Sequence, residues 1–302
     1  MKLIRTLSRG VLLCFLSFAA GLPPTTSTLA EEPASSQRHS LWSLKGKHNT
    51  VYLLGSVHFL SPSEQIPPAM EAAYEDAEVI YMEIDMDDLD PLAVQRVAFE
   101  LGTLAPGETL EDRVGPEVYE KVARRARELG LAPELLERFK PWFAALTLTQ
   151  LHLMKMGLDP TAGIEQRLVR RATHDGKPIL GLETYEEQVE TLASLTPAQQ
   201  QQFLLYSIED SERATREIEN MLRAWRAGDA AALAALLAEG MAKYPDIYGP
   251  LTVERNRKWI ATIEELLDDE DDYLVVVGAL HLVGEDSVIE LLERKGHRVT
   301  QH

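Results

Sequence analysis

His58, Glu83, Glu183 and His281 share one context: each stands at or just beyond the end of an apolar run. His58 closes Gly55-Ser56-Val57-His58 after Val51-Tyr52-Leu53-Leu54, and His281 closes Gly278-Ala279-Leu280-His281 after Tyr273-Leu274-Val275-Val276-Val277. Glu83 lies near the end of Val79 to Ile84, and Glu183 follows Lys177 to Leu182. Histidine is the commonest metal-binding side chain. Paired imidazoles and carboxylates form a mixed N/O set, which suits Mn, Fe, Co or Zn better than Ca or Mg. A metal held there would acidify a bound water and polarise a carbonyl. One glutamate could serve as general base instead of ligand. Spacing alone is weak evidence, because no two of these residues are local to each other and a His-Glu-x-x-His helix is absent. Plain structural roles also stand open: a solvated turn histidine, a Glu83 paired to an arginine, or a Glu183 serving the next helix N-terminus.

Arg255-Asn256 comes next, in the run Glu254-Arg255-Asn256-Arg257-Lys258-Trp259. Arg255 could orient a carboxylate or hold an acidic substrate group; an exposed charged helix face is the ordinary alternative. Ser56 and Ser61 lie beside His58, but Gly-x-Ser-x-Gly is missing. His152, His174, His297 and His302 have no comparable strand context.

These residues need a sheet to position them. Trp42–Lys45 and Thr50–Ser56 read as a strand pair, with a turn at 45–49. Val79–Ile84, Lys177–Leu182, Tyr273–Val277 and Arg298–Thr300 read as further strands. Helices are expected from Ser63, from Pro116 to Gly130, through Pro197–Ala242 with a break at Gly228-Asp229, over Asp246–Leu267, and over Ser287–Lys295. Thr184 with Glu187 is a capping-box pattern. Strands separated by helices favour a largely parallel sheet. The expected fold is α/β: a mixed, largely parallel sheet built from both ends of the chain, with a helical insertion at about 88–175 and 196–265 as a cap over one edge. In such a sheet ligands bind at the carboxyl ends of the strands.

The chain has 302 residues, 45% hydrophobic and 26% charged, with a formal charge of -18. That balance argues against nucleic acid and anionic membranes as partners. Lys2, Arg5 and Arg9 precede an apolar stretch, Gly10 to Leu22, and a small-residue site at Thr28-Leu29-Ala30. Residues 1–30 are therefore expected to be a cleaved secretory signal, with an uncleaved anchor as the alternative. Residues 31–39 read as a disordered linker and 40–302 as one domain. Cleavage would remove the single cysteine, Cys14, and exclude thiol chemistry. The expected location is the periplasm or the exterior.

The ordered set of motifs resembles the TraB/PrgY/GumN family, which includes the TIKI metalloproteases. The resemblance runs through Leu41-Trp42, the first Gly-x-x-His motif, Met82-Glu83-Ile84-Asp85, Lys140-Pro141-Trp142 and Gly181-Leu182-Glu183-Thr184 with Glu187-Gln188. It ends with Glu254-Arg255-Asn256 and Gly278-Ala279-Leu280-His281-Leu282-Val283-Gly284. It implies an erythromycin-esterase-like or haem-binding ChaN-like fold. It also implies a site in which His58, His281 and Glu83 hold a divalent transition metal (Mn, Co or Zn). Glu83, Glu183 and Arg255 would act in catalysis, and Arg255 and Asn256 would bind substrate. The implied activity is metal-dependent hydrolysis, with a peptide or small molecule as partner; the alternative is a non-catalytic module that binds haem, a metal or a peptide signal. Many relatives have glycine at the position of Ser287, a departure that should touch a helix start and not the metal.

Overall fold

The computed structural model describes residues 38–302, save 209, 210 and 244. The expected signal, Cys14 and most of the linker lie outside the described residues.

The strands are β1 (Leu41–Lys45), β2 (Thr50–Ser56), β3 (Val79–Ile84), β4 (Ile179–Glu183), β5 (Tyr273–Gly278) and β6 (Val299–Gln301). They form one mixed sheet in the order β4-β3-β5-β2-β1-β6. The four strands β4, β3, β5 and β2 are parallel, and β1 and β6 are added antiparallel. Parallel strands covered on both faces read as continuous apolar runs. β5 is the extreme case: Leu274, Val275, Val276 and Val277 are all buried. β3 alternates instead, burying Ile80, Met82 and Ile84 and leaving Glu83 on the other face.

The helices are α1 (Pro68–Asp76), α2 (Pro91–Gly102), α3 (Leu110–Val114), α4 (Pro116–Glu128), α5 (Pro141–Lys155), α6 (Ile164–Asp175) and α7 (Tyr185–Ala193). After these come α8 (Pro197–Ser207), α9 (Ser211–Arg226), α10 (Ala230–Lys243), α11 (Pro245–Tyr248), α12 (Glu254–Leu266) and α13 (Val288–Arg294). Of the stretches read as a cap, α6 and α12 join the sheet in the main core through Leu168, Ala172, Trp259 and Ile263. The outlying clusters are built from α3, α4, α5 and α8 around Leu110, Val122, Leu148 and Leu204, and from α2, α5 and α7 around Val97, Trp142 and Val189.

Two helix boundaries differ from the sequence reading. The helix expected from Ser63 starts at Pro68. Ser61 and Ser63 bond each other in a turn closed by Glu64 N on the Ser61 carbonyl, and a residue before proline is pushed out of the helical region, so the helix cannot begin until Pro67 is passed. The single helix expected over Asp246–Leu267 contains a π-turn at Gly249–Val253. Pro250 donates no N–H, so the ladder widens there before α12 resumes.

Candidate active site

Parallel pairing makes strand ends into neighbours. Ser56 stands beside Gly278, and Ile84 beside Glu183. The turns after β2 and β5 and the ends of β3 and β4 therefore share one edge. His58, Glu83, Glu183 and His281 are all delivered to it, and α12 brings Arg255 and Asn256.

Arg255 organises the larger part. Its Nη2 donates to Glu83 Oε2 at 2.6 Å and to Glu183 Oε1 at 2.5 Å, and its Nε lies 3.1 Å from the same Glu183 oxygen. All these side chains are nearly buried; that of Arg255 is 11% exposed, which rules out the exposed-face reading. Gln188, on α7, donates to both carboxylates. The N–H of Gly278 donates to Glu83 Oε1 at 2.8 Å. A Cβ on Gly278 would come within 3.3 Å of that oxygen, so the glycine keeps the approach open. Glu183 is thus engaged by Arg255, while the start of α7 is capped by Thr184 and Glu187 in the expected box.

His281 has its tautomer set by a chain of donors. The Asn256 side chain is fully buried, and its amide nitrogen donates to the carbonyl of Asp286 at 2.9 Å. That fixes the amide orientation, so Oδ1 must accept from His281 Nδ1, 2.6 Å away. The Nε2 lone pair is left facing Arg255 Nη1 at 3.3 Å. Asp286 adopts φ 53°, a left-handed conformation that aspartate tolerates better than most residues. Trp259, one turn along α12, packs its ring 4.7 Å from His281 and lies under the Arg255 guanidinium at 4.8 Å.

His58 sits in a second, smaller arrangement. Its Nδ1 lies 2.9 Å from Glu165 Oε1, which also accepts from the Ser56 hydroxyl. Glu165 is buried in the first turn of α6, where negative charge is favoured. Its Oε2 is buried without a partner. The N-terminus of α6 rests on the His58 turn, with Ile164 N donating to Val57 O. A Cβ on Gly163 would run into the His58 carbonyl at 2.2 Å, so only glycine allows this seating. The His58 side chain is 63% exposed.

Charge separates these groups. Burial opposes ionisation of Glu83, but Arg255, His281, His58 and the Gly278 N–H outweigh it and bring its pKa down to about 2. Burial pushes the Glu183 carboxyl up, the charge of Glu83 adds to that, and Arg255 resists it. Burial lowers His281 to about 4, with Arg255 and His58 acting in the same direction. The Glu165 charge raises His58 to about 9. His58 also acts on Glu83 and His281 across the site, so the two imidazoles stand within electrostatic reach.

The donor types, two imidazoles and a carboxylate, are ones a transition metal takes. Both imidazoles have Nδ1 engaged by an oxygen acceptor, the usual support behind a metal-bound histidine. Glu83 is ionised, and its Oε1 accepts only the Gly278 N–H. Among the described residues no three His, Asp or Glu side chains are drawn into a coordinating group. Arg255, bonded to both carboxylates, is the cation that gathers them. The sequence reading missed Glu165 and the role of Gln188. The signal for Glu165 was available: Pro160, a glycine at 163, and an acid in the first turn of an amphipathic helix.

A model of the TraB/PrgY/gumN family matches residues 40–301. The chain is 25% identical over 269 residues to the uncharacterized protein YbaP of Escherichia coli K12, covering 84% of this chain and 97% of YbaP. It is 22% identical over 320 residues to metalloprotease TIKI2 of Xenopus tropicalis, covering 86% of this chain and 59% of TIKI2. To metalloprotease TIKI1 of Danio rerio the identity is also 22%, over 88% of this chain and 64% of TIKI1. No solved structure matches.

Proposed function

We propose, for a chain that belongs to the TraB/PrgY/gumN family, that it is an exported metal-dependent hydrolase acting on peptide bonds. One observation carries the reading: two strand-end imidazoles, each with Nδ1 anchored on an acceptor, flank an ionised glutamate at one sheet edge. The similarity to the metalloproteases TIKI1 and TIKI2 supports it. A divalent Mn, Co or Zn would be held by His58, His281 and Glu83. When bound it would supply Lewis acidity and a more acidic water. The kinship of fold with erythromycin-esterase-like and ChaN-like proteins, and a leader that directs the chain to the periplasm or exterior, belong to the same proposal.

This chain's own residues do the rest. Asn256 holds His281 in the tautomer whose Nε2 carries no proton and faces Arg255. Glu165 holds the ring of His58. Glu183 is the proton carrier: its Oε2 accepts one hydrogen bond, from Arg255 Nε at 3.2 Å, and keeps a lone pair to take a proton from the attacking water and return it to the leaving amine. Arg255 steadies the charge that develops on the scissile carbonyl oxygen. Trp259 backs both Arg255 and His281, keeping water from the rear of the site.

The test is a peptide-library digest with chelator-treated protein, with and without Mn, Co or Zn, alongside Glu183→Gln. Metal-dependent cleavage that falls by about two to four powers of ten in Glu183→Gln supports the reading. Cleavage by the stripped protein, or full activity in the variant, overturns it. The second reading, a binding module for haem, metal or a peptide signal, draws on the double engagement of Arg255 with Glu83 and Glu183. An absorption spectrum and a peptide pull-down without cleavage would favour it.

A further inference from the structure

We propose that the outer edge of β4 binds the substrate as an extended peptide, which adds a strand to the sheet and runs from there to Glu183. The occupant rests on the hydrolase reading, and binding is measured apart from cleavage so that each can fail alone. β4 closes one side of the sheet: it pairs with β3, and no strand lies beyond it among the described residues. The pairing settles which main-chain groups face outward. Ile80 N donates to the Pro178 carbonyl at 3.0 Å. Peptide groups alternate sides along a strand, so Leu180 and Leu182 also turn theirs to β3, while Ile179, Gly181 and Glu183 turn theirs away. Among the described residues no hydrogen bond reaches those outward groups. Buried main-chain groups are nearly always paired, so an unpaired row marks an edge open to water. The row repeats every ~6.6 Å, the spacing of another extended backbone.

The edge lacks the usual protection. β6, at the opposite side of the sheet, is only three residues long. β4 has five, Ile179-Leu180-Gly181-Leu182-Glu183, with no proline and no charge ahead of Glu183. Lys177, which could guard its start, is committed to the carbonyls of Tyr74 and Ala77 at the end of α1. Sheets guard such edges with short strands, prolines or charges, because an open apolar edge pairs with other chains. This one leads into the site. Its last residue is Glu183, whose carboxylate shares Arg255 with Glu83. A strand laid along β4 carries its next residues over the carboxyl ends of β3 and β5, where Glu83 and His281 stand. That continuity selects a substrate strand over a second copy of the chain, which would pair with the edge without entering the site.

The faces of β4 add a preference. Leu180 is 41% exposed, and Leu182 is half-buried on the same face. On the other face Gly181 offers no side chain, since a Cβ there would meet Asp85 N at 2.7 Å. Alternate residues of the bound peptide therefore lie beside leucine, where apolar side chains are favoured. The substrate class that follows is an unfolded segment of at least about five residues, the span of β4, and not a dipeptide.

Fluorescence anisotropy of a labelled, end-capped octapeptide of alternating Val and Thr, titrated with chelator-treated full chain, tests this. Saturable binding is expected. N-methylation of one alternate set of amides should weaken it at least about tenfold, and of the other set by no more than about twofold, because only one edge of the peptide faces β4. Leu180→Asp should weaken it at least about tenfold, by setting a charge beside the apolar residues of the peptide. Thr300→Asp, an exposed position on β6, should leave it unchanged. No saturable binding, equal losses from the two methylated sets, or an equal loss in Thr300→Asp overturns the proposal. So does a dimer in sedimentation velocity that Leu180→Asp alone dissolves, which assigns the edge to a second copy. The alternating methyl pattern without cleavage on restoring Mn, Co or Zn supports the strand site and removes the hydrolase reading; cleavage without that pattern does the reverse.

Discussion

The two histidines arrive at the same sheet edge by the same motif but are held in opposite ways. His281 is buried, neutral, bonded to a fixed amide and packed on Trp259. His58 is largely exposed, raised in pKa, and leans on a carboxylate with an unpartnered oxygen. The Arg255 half is a closed polar network, in which removing one member strands the rest. In the other half the His58 ring is open to solvent, which takes up what that ring loses, while Glu165 itself stays buried. The difference teaches that a shared sequence motif fixes where a side chain arrives and leaves its protonation to its neighbours.

The largest break should come from Arg255→Met. It leaves Glu83 and Glu183 facing each other without a cation, and a buried pair broken on one side costs about 3–5 kcal/mol. Urea unfolding measures it, and a loss below about 1 kcal/mol would deny that Arg255 gathers the site. Next is Trp259→Ala, which empties a 1%-exposed position behind His281 and should cost about 3–5 kcal/mol less any collapse. The corresponding change in the other half, Glu165→Gln, should cost only about 1 kcal/mol, because the His58 ring is mostly solvated. Its sharper readout is NMR titration: the His58 pKa should fall from about 9 toward the ordinary histidine value. A His58 that titrates unchanged in Glu165→Gln would remove the distinction between the halves.

Much of this contrast was legible. Strand ends could be read because apolar runs in a parallel sheet end at one edge, so His58, Glu83, Glu183 and His281 declared themselves by context. The partners were harder. Glu165 hides in an amphipathic helix, where an acid in the first turn has an ordinary explanation. The π-turn at Gly249–Val253, just ahead of Arg255, has no periodic signature. Arg255 was legible as a candidate, with an exposed charged face as its alternative, because one-dimensional spacing cannot show which face of α12 meets the sheet.

The halves should also respond oppositely to pH. For His58 the folded pKa, about 9, lies above the unfolded value of roughly 6.5. Its contribution is complete below pH ~6.5 and is lost as pH rises through about 9. For His281 the folded pKa, about 4, lies below the unfolded value of roughly 6.5. The unfolded chain then binds more protons between the two, so stability falls as pH drops toward about 4. Glu83, held at about 2, adds a loss that continues below the unfolded carboxylate range. Urea midpoints across pH should therefore peak between these windows, and Glu165→Gln should flatten the alkaline side alone. The smallest effect is expected at Ser287, whose hydroxyl caps α13. Ser287→Gly should cost a few tenths of a kcal/mol and leave the site unchanged.

The central claim is that two unlike histidine settings hold one ion. Elemental analysis of protein purified without chelator, run beside His58→Ala and His281→Ala, tests it most directly. One equivalent of Mn, Co or Zn in the unaltered chain, lost in either variant while both remain folded, is the predicted result. Metal retained at full occupancy in both variants would contradict it.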